Sequence, residues 1–184
     1  MSYKERVKAV RVFGLDVDGV LTDGTFLAAG GKQYRRFHLH DGLGLILLSL
    51  AGIKTVLITG KKADRDLKAR ARELKIDAIY DECADKVGAM ASYLKKVSAA
   101  WSAAGYMGDD LPDLPLLRKV AFACAPSDGV SEVRRAAHLV CRLPGGRGAV
   151  REAAEYILKE SGQWTYALEK YWESFGGRPR SSRR

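Results

Sequence analysis

The sequence predicts an α/β fold of three layers, in which a central parallel sheet has helices on both faces, as in Rossmann-like proteins. Short apolar runs typical of buried strands alternate along the chain with longer amphipathic segments typical of helices. The chain has 184 residues, 47% of them hydrophobic, which is enough for one well-filled core. We therefore expect one domain over residues 1–177, followed over 178–184 by a basic tail whose composition favours disorder.

The first half of the chain is predicted to contain core strands, helices and a hairpin. Residues 10–17 form a Val-rich apolar run that indicates a strand buried on both faces. Short extended segments at about 25–27 and 34–37, joined through glycines, indicate a projecting β-hairpin. Asp41 is a suitable N-cap for a helix that ends before Gly52. The other elements predicted up to residue 80 are that helix over 42–50, a strand over 53–58, a helix over 64–74 and a strand over 78–80.

The second half continues the alternation that a parallel sheet requires. A helix is predicted from about 85 to 97 and a short strand over 103–107. Pro112 is expected to open a short helix, because proline is favoured in the first helical turn. The remaining predicted elements are strands over 121–123 and 139–141 with a helix between them, and helices over 148–160 and 164–175.

The composition limits the classes of function. The formal net charge of +9 could serve nucleic acid, an acidic membrane surface or an anionic substrate. The chain shows no nucleic-acid-binding motif, no apolar run near the ~20 residues that cross a bilayer, and no signal-peptide pattern at residue 1. Cys83, Cys124 and Cys141 are too far apart to suggest a disulfide framework or a zinc site. We expect a cytoplasmic protein that binds an anionic small molecule rather than a membrane, with nucleic-acid binding through the tail left as an alternative.

Polar groups follow three of the predicted strands. In open parallel sheets, ligands bind beyond the carboxyl ends of the strands. The segments concerned are Asp16-Val17-Asp18, Thr59-Gly60 and Gly108-Asp109-Asp110. Asp-Gly pairs can simply form turns, but a turn does not explain Asp16 inside an apolar run, where an unpaired carboxylate costs several kcal/mol. A cation such as Mg²⁺, which prefers carboxylate ligands, would offset that cost.

These segments resemble the four motifs of the haloacid dehalogenase superfamily of phosphatases, over about residues 10–161. The matching segments, in motif order, are residues 16–24, Thr59-Gly60, Lys86, and Gly108-Asp109-Asp110 with Asp113. The resemblance implies the haloacid dehalogenase variant of the fold without a cap domain. More narrowly, residues 16–24, 37–44, 108–115 and 145–152 are similar to the 3-deoxy-D-manno-octulosonate 8-phosphate phosphatases. That group takes part in lipopolysaccharide precursor synthesis, uses Mg²⁺ and assembles as tetramers.

The resemblance implies a role for each motif residue. Asp16 would be the nucleophile that forms an aspartyl-phosphate, and Asp18 the general acid and base. Lys86 would neutralise charge during transfer, oriented by Asp113. The implied Mg²⁺ ligands are the carboxylates of Asp16 and Asp109 and the backbone carbonyl of Asp18. Asp110 would bind the ion through water or support these ligands. Thr59 and Gly60 would bind phosphate oxygens.

The spacing of the first two aspartates allows two geometries. If the chain stays extended, Asp16 and Asp18 lie on the same face and both address the phosphoryl group. If the chain turns at Asp18, its carbonyl is directed at the metal and its side chain is free for proton transfer. A sugar-acid substrate would also favour cations near the mouth of the site, and Lys61 and Arg147 are the candidates, the latter before a helix N-terminus.

Two features leave the substrate and the assembly open. His40 and Lys61 stand where the narrower group usually has arginine, so another sugar-acid phosphate, such as a nine-carbon sialic-acid-type 9-phosphate, stays possible. The gaps between motifs leave no room for a lid domain, so we expect a neighbouring subunit in a homotetramer to close the site. A catalytically idle oligomerising or binding module is the alternative of another class, although every residue that the chemistry requires is present.

Overall fold

The central sheet has six parallel strands in the order β5-β4-β1-β6-β7-β8, in a computed structural model that describes residues 2–30 and 32–177. The strands of this sheet are β1 Val12–Leu15, β4 Lys54–Ile58, β5 Ala78–Tyr80, β6 Ala104–Met107, β7 Phe122–Ala125 and β8 Leu139–Val140. β2 (Leu27–Ala29) and β3 (Lys32–Tyr34) form a separate antiparallel hairpin. Both the parallel sheet and the projecting hairpin are confirmed. The hairpin strands lie nearer the turn than predicted, because Ala29 pairs with Lys32 and only two residues remain between them.

Eight α-helices accompany these strands in the described residues. They are α1 Tyr3–Lys8, α2 Leu39–Leu50, α3 Arg65–Glu73, α4 Lys86–Lys96, α5 Leu114–Leu117, α6 Ser131–Ala136, α7 Ala149–Glu160 and α8 Trp164–Glu173. α1 was not predicted, although Ser2 and Glu5 form a capping box that the sequence pattern could have revealed. Pro112 lies in a short 3₁₀ helix, Leu111–Asp113, that leads directly into α5.

Alternate strand residues belong to two separate hydrophobic clusters, one on each face of the sheet. In β1, Phe13 and Leu15 pack with buried side chains of α1, α2, α3, α7 and α8, whereas Val12 packs with those of α4, α5 and α6. β7 divides in the same way, with Phe122 on the first face and Ala123 on the second. This burial on both faces explains why the strands are continuous apolar runs.

The strand order places three polar strand ends side by side. β1 lies between β4 and β6, in register from Val12 to Leu15. The ladder continues one residue beyond β1, where the Asp16 N–H donates to the Met107 carbonyl at 2.9 Å. Thr59 and Asp109, which follow the ends of β4 and β6, therefore flank Asp16.

Asp41 does not cap its own helix, and that prediction is wrong. α2 begins at Leu39, so Asp41 lies in its first turn, and its carboxylate accepts hydrogen bonds from the N–H groups of Gly148 (3.0 Å) and Arg151 (2.8 Å). Asp41 is fully buried, and it caps the N-terminus of α7 across the α2–α7 contact. A cap of this kind depends on tertiary packing, which sequence spacing does not reveal.

No helix among residues 2–30 and 32–177 is both long and apolar enough to span a bilayer. The tail predicted over 178–184 lies outside the described residues, so the division of the chain at residue 177 stays a prediction.

We expect Asp41→Ala to lower the free energy of unfolding by about 2–3 kcal/mol, because two buried N–H groups at the start of α7 would lose their acceptor. Urea denaturation at fixed protein concentration measures the change. Asp66→Ala, which removes an exposed carboxylate from α3, is the control and should change stability by less than about 0.5 kcal/mol. Equal stability of Asp41→Ala and the wild type would contradict the capping role.

Candidate active site

The chain turns sharply just after β1. The N–H groups of Leu21 and Thr22 both donate to the Val17 carbonyl, at 2.9 and 3.0 Å. Gly19 has φ +102°, and a side chain there would collide with the Asp109 carboxylate. Of the two geometries that the spacing allowed, the structure therefore has the turn at Asp18, and the turn lies directly against Asp109.

Lys86, the first residue of α4, joins two carboxylates at the end of the sheet. Its Nζ lies 3.1 Å from Asp16 Oδ1 and 2.7 Å from Asp113 Oδ1. Burial alone would lower the pKa of Lys86, but the two carboxylates outweigh it and raise the pKa above its ordinary value. Lys86 is therefore a buried ammonium group that points at the carboxylate predicted to be the nucleophile.

Asp113 is held in place by four donors. Lys86 Nζ and the Tyr106 hydroxyl (2.6 Å) donate to Oδ1, and the N–H groups of Asp109 and Asp110 donate to Oδ2 at 3.0 and 3.2 Å. Tyr106 is fully buried in β6 and was not among the predicted site residues. A hydroxyl in an otherwise apolar strand was the available signal, since a buried tyrosine O–H needs a partner.

Lys86 is shared between Asp16 and Asp113, so one ammonium group faces the three carboxyl groups that meet here. Oxygens of Asp16, Asp109 and Asp113 lie within 4.8 Å of one another, and Asp113 is already saturated. Asp109 Oδ1 is shielded from solvent and has no hydrogen-bond partner among the residues that the structure describes. Such an orphaned buried oxygen is costly unless a cation binds it. The residues present therefore fit a hard divalent cation with oxygen ligands.

Burial and the proximity of these carboxyl groups raise the pKa values of Asp16 and Asp109. Burial, followed by the charges of Asp16 and Asp113, raises the pKa of Asp109 to about 8. Burial and Asp113 raise the pKa of Asp16 to about 6, even though Lys86 acts in the opposite direction. Two carboxyl groups with raised pKa values in one cavity are typical of a functional site, where charged groups are brought together for binding or catalysis.

The Asp18 carboxylate is paired with Arg35, which follows the hairpin strand β3. Arg35 Nε donates to Asp18 Oδ1 at 2.8 Å and Arg35 Nη2 donates to Oδ2 at 3.3 Å. The Asp18 side chain is thus engaged by a cation, and the metal contact of its backbone carbonyl stays a prediction. Arg35 was not among the predicted site residues, because its partner lies 17 residues away and no motif connects the two.

The predicted site residues, except Arg147, line one cavity of about 510 Å³. Those that line it are Asp16, Asp18, Thr59, Gly60, Lys61, Lys86, Asp109, Asp110 and Asp113. Lys61 forms part of the wall, and its ammonium group lies 3.6 Å from the centre of the Phe26 ring. The Asp110 carboxylate accepts from the Leu111 N–H at 2.7 Å and so caps the 3₁₀ helix, which agrees with a supporting role.

Arg147 lies outside this cavity. Its guanidinium contacts Asp23 at 3.3 Å and borders a second cavity, also lined by Arg36, Phe37, His38 and Gly146. The backbone of its loop contacts the turn that follows Asp16, since the Gly146 N–H donates to the Val20 carbonyl at 2.9 Å. His40 likewise borders a separate cavity, so neither side chain is placed beside Asp16.

Curated relatives with sequence similarity cover most of the chain. The 3-deoxy-D-manno-octulosonate 8-phosphate phosphatase of Escherichia coli K12 is 34% identical over 159 residues, which are 86% of this chain and 84% of the relative. The enzyme of the same name from Yersinia pestis is 35% identical over 155 residues, 84% of this chain and 82% of the relative. No protein-family model matches the chain.

Solved structures agree with the sequence relatives. The phosphatase of that name from Moraxella catarrhalis, in complex with magnesium ion, phosphate ion and KDO, has a TM-score of 0.87 at 34% identity, covering 92% of this chain and 97% of its own. The cobalt-bound enzyme from Haemophilus influenzae has a TM-score of 0.84 at 28% identity, covering 90% and 98%. With this identity over most of both chains, the protein belongs to the 3-deoxy-D-manno-octulosonate 8-phosphate phosphatase family of the haloacid dehalogenase superfamily.

Proposed function

We propose that this protein is a Mg²⁺-dependent phosphatase that hydrolyses 3-deoxy-D-manno-octulosonate 8-phosphate to the free sugar acid and phosphate. The observation that carries the proposal is the buried oxygen of Asp109 next to Asp16, which has no hydrogen-bond partner among residues 2–30 and 32–177, in a cavity that Lys86 also lines. This arrangement has a nucleophile, a place for a cation and a fixed positive charge. Family membership supports the substrate, and the Moraxella catarrhalis relative has magnesium, phosphate and KDO bound.

In the first step, an Asp16 oxygen attacks phosphorus while the bond from phosphorus to the sugar oxygen breaks. Protonated Asp18 gives its proton to the departing oxygen, which leaves as an alcohol. Lys86, 3.1 Å from Asp16 Oδ1, stabilises the additional negative charge that the phosphoryl group brings. Mg²⁺, held by Asp16, Asp109 and the Asp18 carbonyl, would supply positive charge to the phosphoryl oxygens when bound.

In the second step, water attacks the phosphorus of the aspartyl-phosphate and the bond to Asp16 breaks. Asp18, now a carboxylate, takes the proton of the attacking water and returns to its starting state. Inorganic phosphate is released and Asp16 is free again. Thr59 and Gly60 line the cavity beside Asp16, where they can bind the phosphoryl oxygens throughout both steps.

Lys61 is the cation that we assign to the carboxylate of the sugar acid. It lines the cavity wall, more than a third of its surface is exposed, and its ammonium group is fixed against Phe26. Arg147, the other candidate from the sequence, is paired with Asp23 outside the cavity. A lysine in place of the usual arginine keeps the charge but loses the bidentate geometry, so we expect weaker selection for the carboxylate.

We expect Asp16→Asn to lower turnover of 3-deoxy-D-manno-octulosonate 8-phosphate by about 10³-fold or more, because an amide cannot form the phosphoenzyme. Phosphate release with saturating Mg²⁺ measures the effect. Asp66→Asn, which changes an exposed carboxylate on α3, is the matched control and should retain wild-type turnover. Turnover of Asp16→Asn at the wild-type rate would disprove the nucleophile assignment.

The same assay tests the substrate when it is repeated with a nine-carbon sialic-acid-type 9-phosphate. A higher kcat/KM for the eight-carbon substrate supports the proposal. A preference for the nine-carbon substrate that depends on Asp16 keeps the mechanism and replaces the substrate. If the protein hydrolyses neither compound and none of a panel of other phosphates, the catalytically idle binding or oligomerising module becomes the favoured function.

We expect the affinity for Mg²⁺ to rise with pH. The pKa of Asp109 is raised to about 8 without metal, so below that pH the carboxyl must lose a proton before it can bind the ion. The apparent affinity should therefore fall roughly tenfold for each pH unit below 8. Calorimetric titration of Mg²⁺ at pH 6.5 and 8.5, without substrate, measures this. Asp109→Asn is the control, and it should bind weakly at both values; a wild-type affinity that is independent of pH would contradict the assignment.

We also propose that the protein is a cytoplasmic homotetramer. The hairpin and the start of α2 present exposed apolar side chains, with Leu27 69% and Leu39 78% exposed, which a neighbouring subunit would cover. All three cysteines are free thiols, which suits a reducing compartment. Light scattering should give a mass four times the 20.2 kDa of one chain. A monomer at micromolar concentration would contradict the tetramer.

A further inference from the structure

Arg35 is a buried arginine that contacts the proposed proton-transfer residue directly. Its side chain is 6% exposed, and the Asp18 side chain that it meets is 14% exposed. The Nε–Oδ1 distance of 2.8 Å is that of a strong charge-assisted hydrogen bond, whereas the Nη2–Oδ2 distance of 3.3 Å is long. Arg35 thus fixes one Asp18 oxygen firmly and leaves the other with free lone pairs.

Two further contacts immobilise the guanidinium itself. Arg35 Nη1 donates to Asp64 Oδ2 at 2.5 Å, and the guanidinium carbon lies 5.3 Å from the centre of the Phe26 ring. The other Asp64 oxygen accepts from the Leu67 N–H at 2.7 Å and caps α3. The Asp18 carboxylate is therefore tied through Arg35 to a helix end that belongs to the body of the domain.

We propose that Arg35 is a positioning residue for Asp18 in phosphoryl transfer, an inference that rests on the proposed function. Asp18 lies in a turn, so its carboxylate needs a partner to be held at the reacting oxygen. With Oδ1 bound to Arg35, Oδ2 carries the proton that goes to the leaving oxygen in the first step and accepts the proton of water in the second. Small errors in such a position lower the rate strongly.

Leaving-group dependence separates this role from a merely structural one. A sugar alkoxide needs a proton in order to leave, whereas p-nitrophenolate does not, and kcat/KM reports the steps up to departure of the leaving group. For Arg35→Ala we expect kcat/KM to fall by roughly 10–100-fold on the sugar phosphate and by less than about threefold on p-nitrophenyl phosphate. Arg35→Lys, which keeps the positive charge but loses the planar guanidinium geometry, should give an intermediate loss with the same pattern.

Arg36→Ala is the matched control, since Arg36 is adjacent, is 74% exposed and pairs with Asp23 instead. It removes the same charge from the hairpin, and kcat/KM should stay near the wild-type value on both substrates. Asp64→Asn keeps the cap of α3 but weakens the anchor of Arg35, so it should show a smaller loss with the same preference.

A double-mutant cycle with Asp18→Asn completes the test. If Arg35 acts through Asp18, then Arg35→Ala should cause no further loss on the sugar phosphate in the Asp18→Asn background. Equal losses on both substrates, additive losses in the cycle, or an unchanged Arg35→Ala enzyme would each overturn the inference while leaving the phosphatase assignment intact. Failure of the wild type to hydrolyse either substrate would instead overturn the proposed function, and this inference with it.

Discussion

The active site depends on one electrostatic constraint, which is the meeting of three carboxylates at the buried end of the central strands. Asp16, Asp109 and Asp113 approach within 4.8 Å, and Lys86 contacts two of them. Asp113 accepts from four donors, but Lys86 is shared between Asp113 and Asp16, so one ammonium group faces three carboxyl groups. Most of the unusual local features follow from this, including the raised pKa values, the orphaned Asp109 oxygen and the glycine at 19.

The site has a rigid part and a part that depends on the hairpin. Asp16, Thr59 and Asp109 follow adjacent strands whose register fixes their separation. Asp18 instead takes its partner from the base of the hairpin, which pairs with no strand of the main sheet in the described residues. The proposed phosphoryl binding and the proposed proton transfer would thus depend on different structural elements, whose side chains meet in one cavity.

The strands and the site were largely predictable, because both depend on local patterns. Continuous apolar runs marked the strands to within about two residues, and the motif spacing placed Asp16, Lys86 and Asp109 at neighbouring strand or helix ends. The residues that sequence reasoning missed or misassigned, Arg35, Tyr106 and Asp41, act across the fold. Their partners are distant in sequence or are backbone groups, so the spacing of residues along the chain does not predict these contacts. The Arg147 side chain lies outside the cavity, and the backbone of the neighbouring Gly146 contacts the turn after Asp16; the role predicted for Arg147 stays a prediction.

The Asp41 carboxylate connects the packing of α2 against α7 to the turn that follows Asp16. The Asp41 carboxylate accepts a hydrogen bond from the Gly148 N–H and so fixes the end of the preceding loop. The backbone of that loop packs against the turn that follows Asp16, so closely that a side chain at position 145 would collide with the Gly19 carbonyl. Asp41, which does not line the cavity, therefore supports the turn that carries Asp18 through the loop that precedes α7. A genetic screen for inactive variants would recover substitutions at Asp41 together with those at Asp16, the proposed nucleophile. Ranking residues by their distance from phosphorus would overlook Asp41.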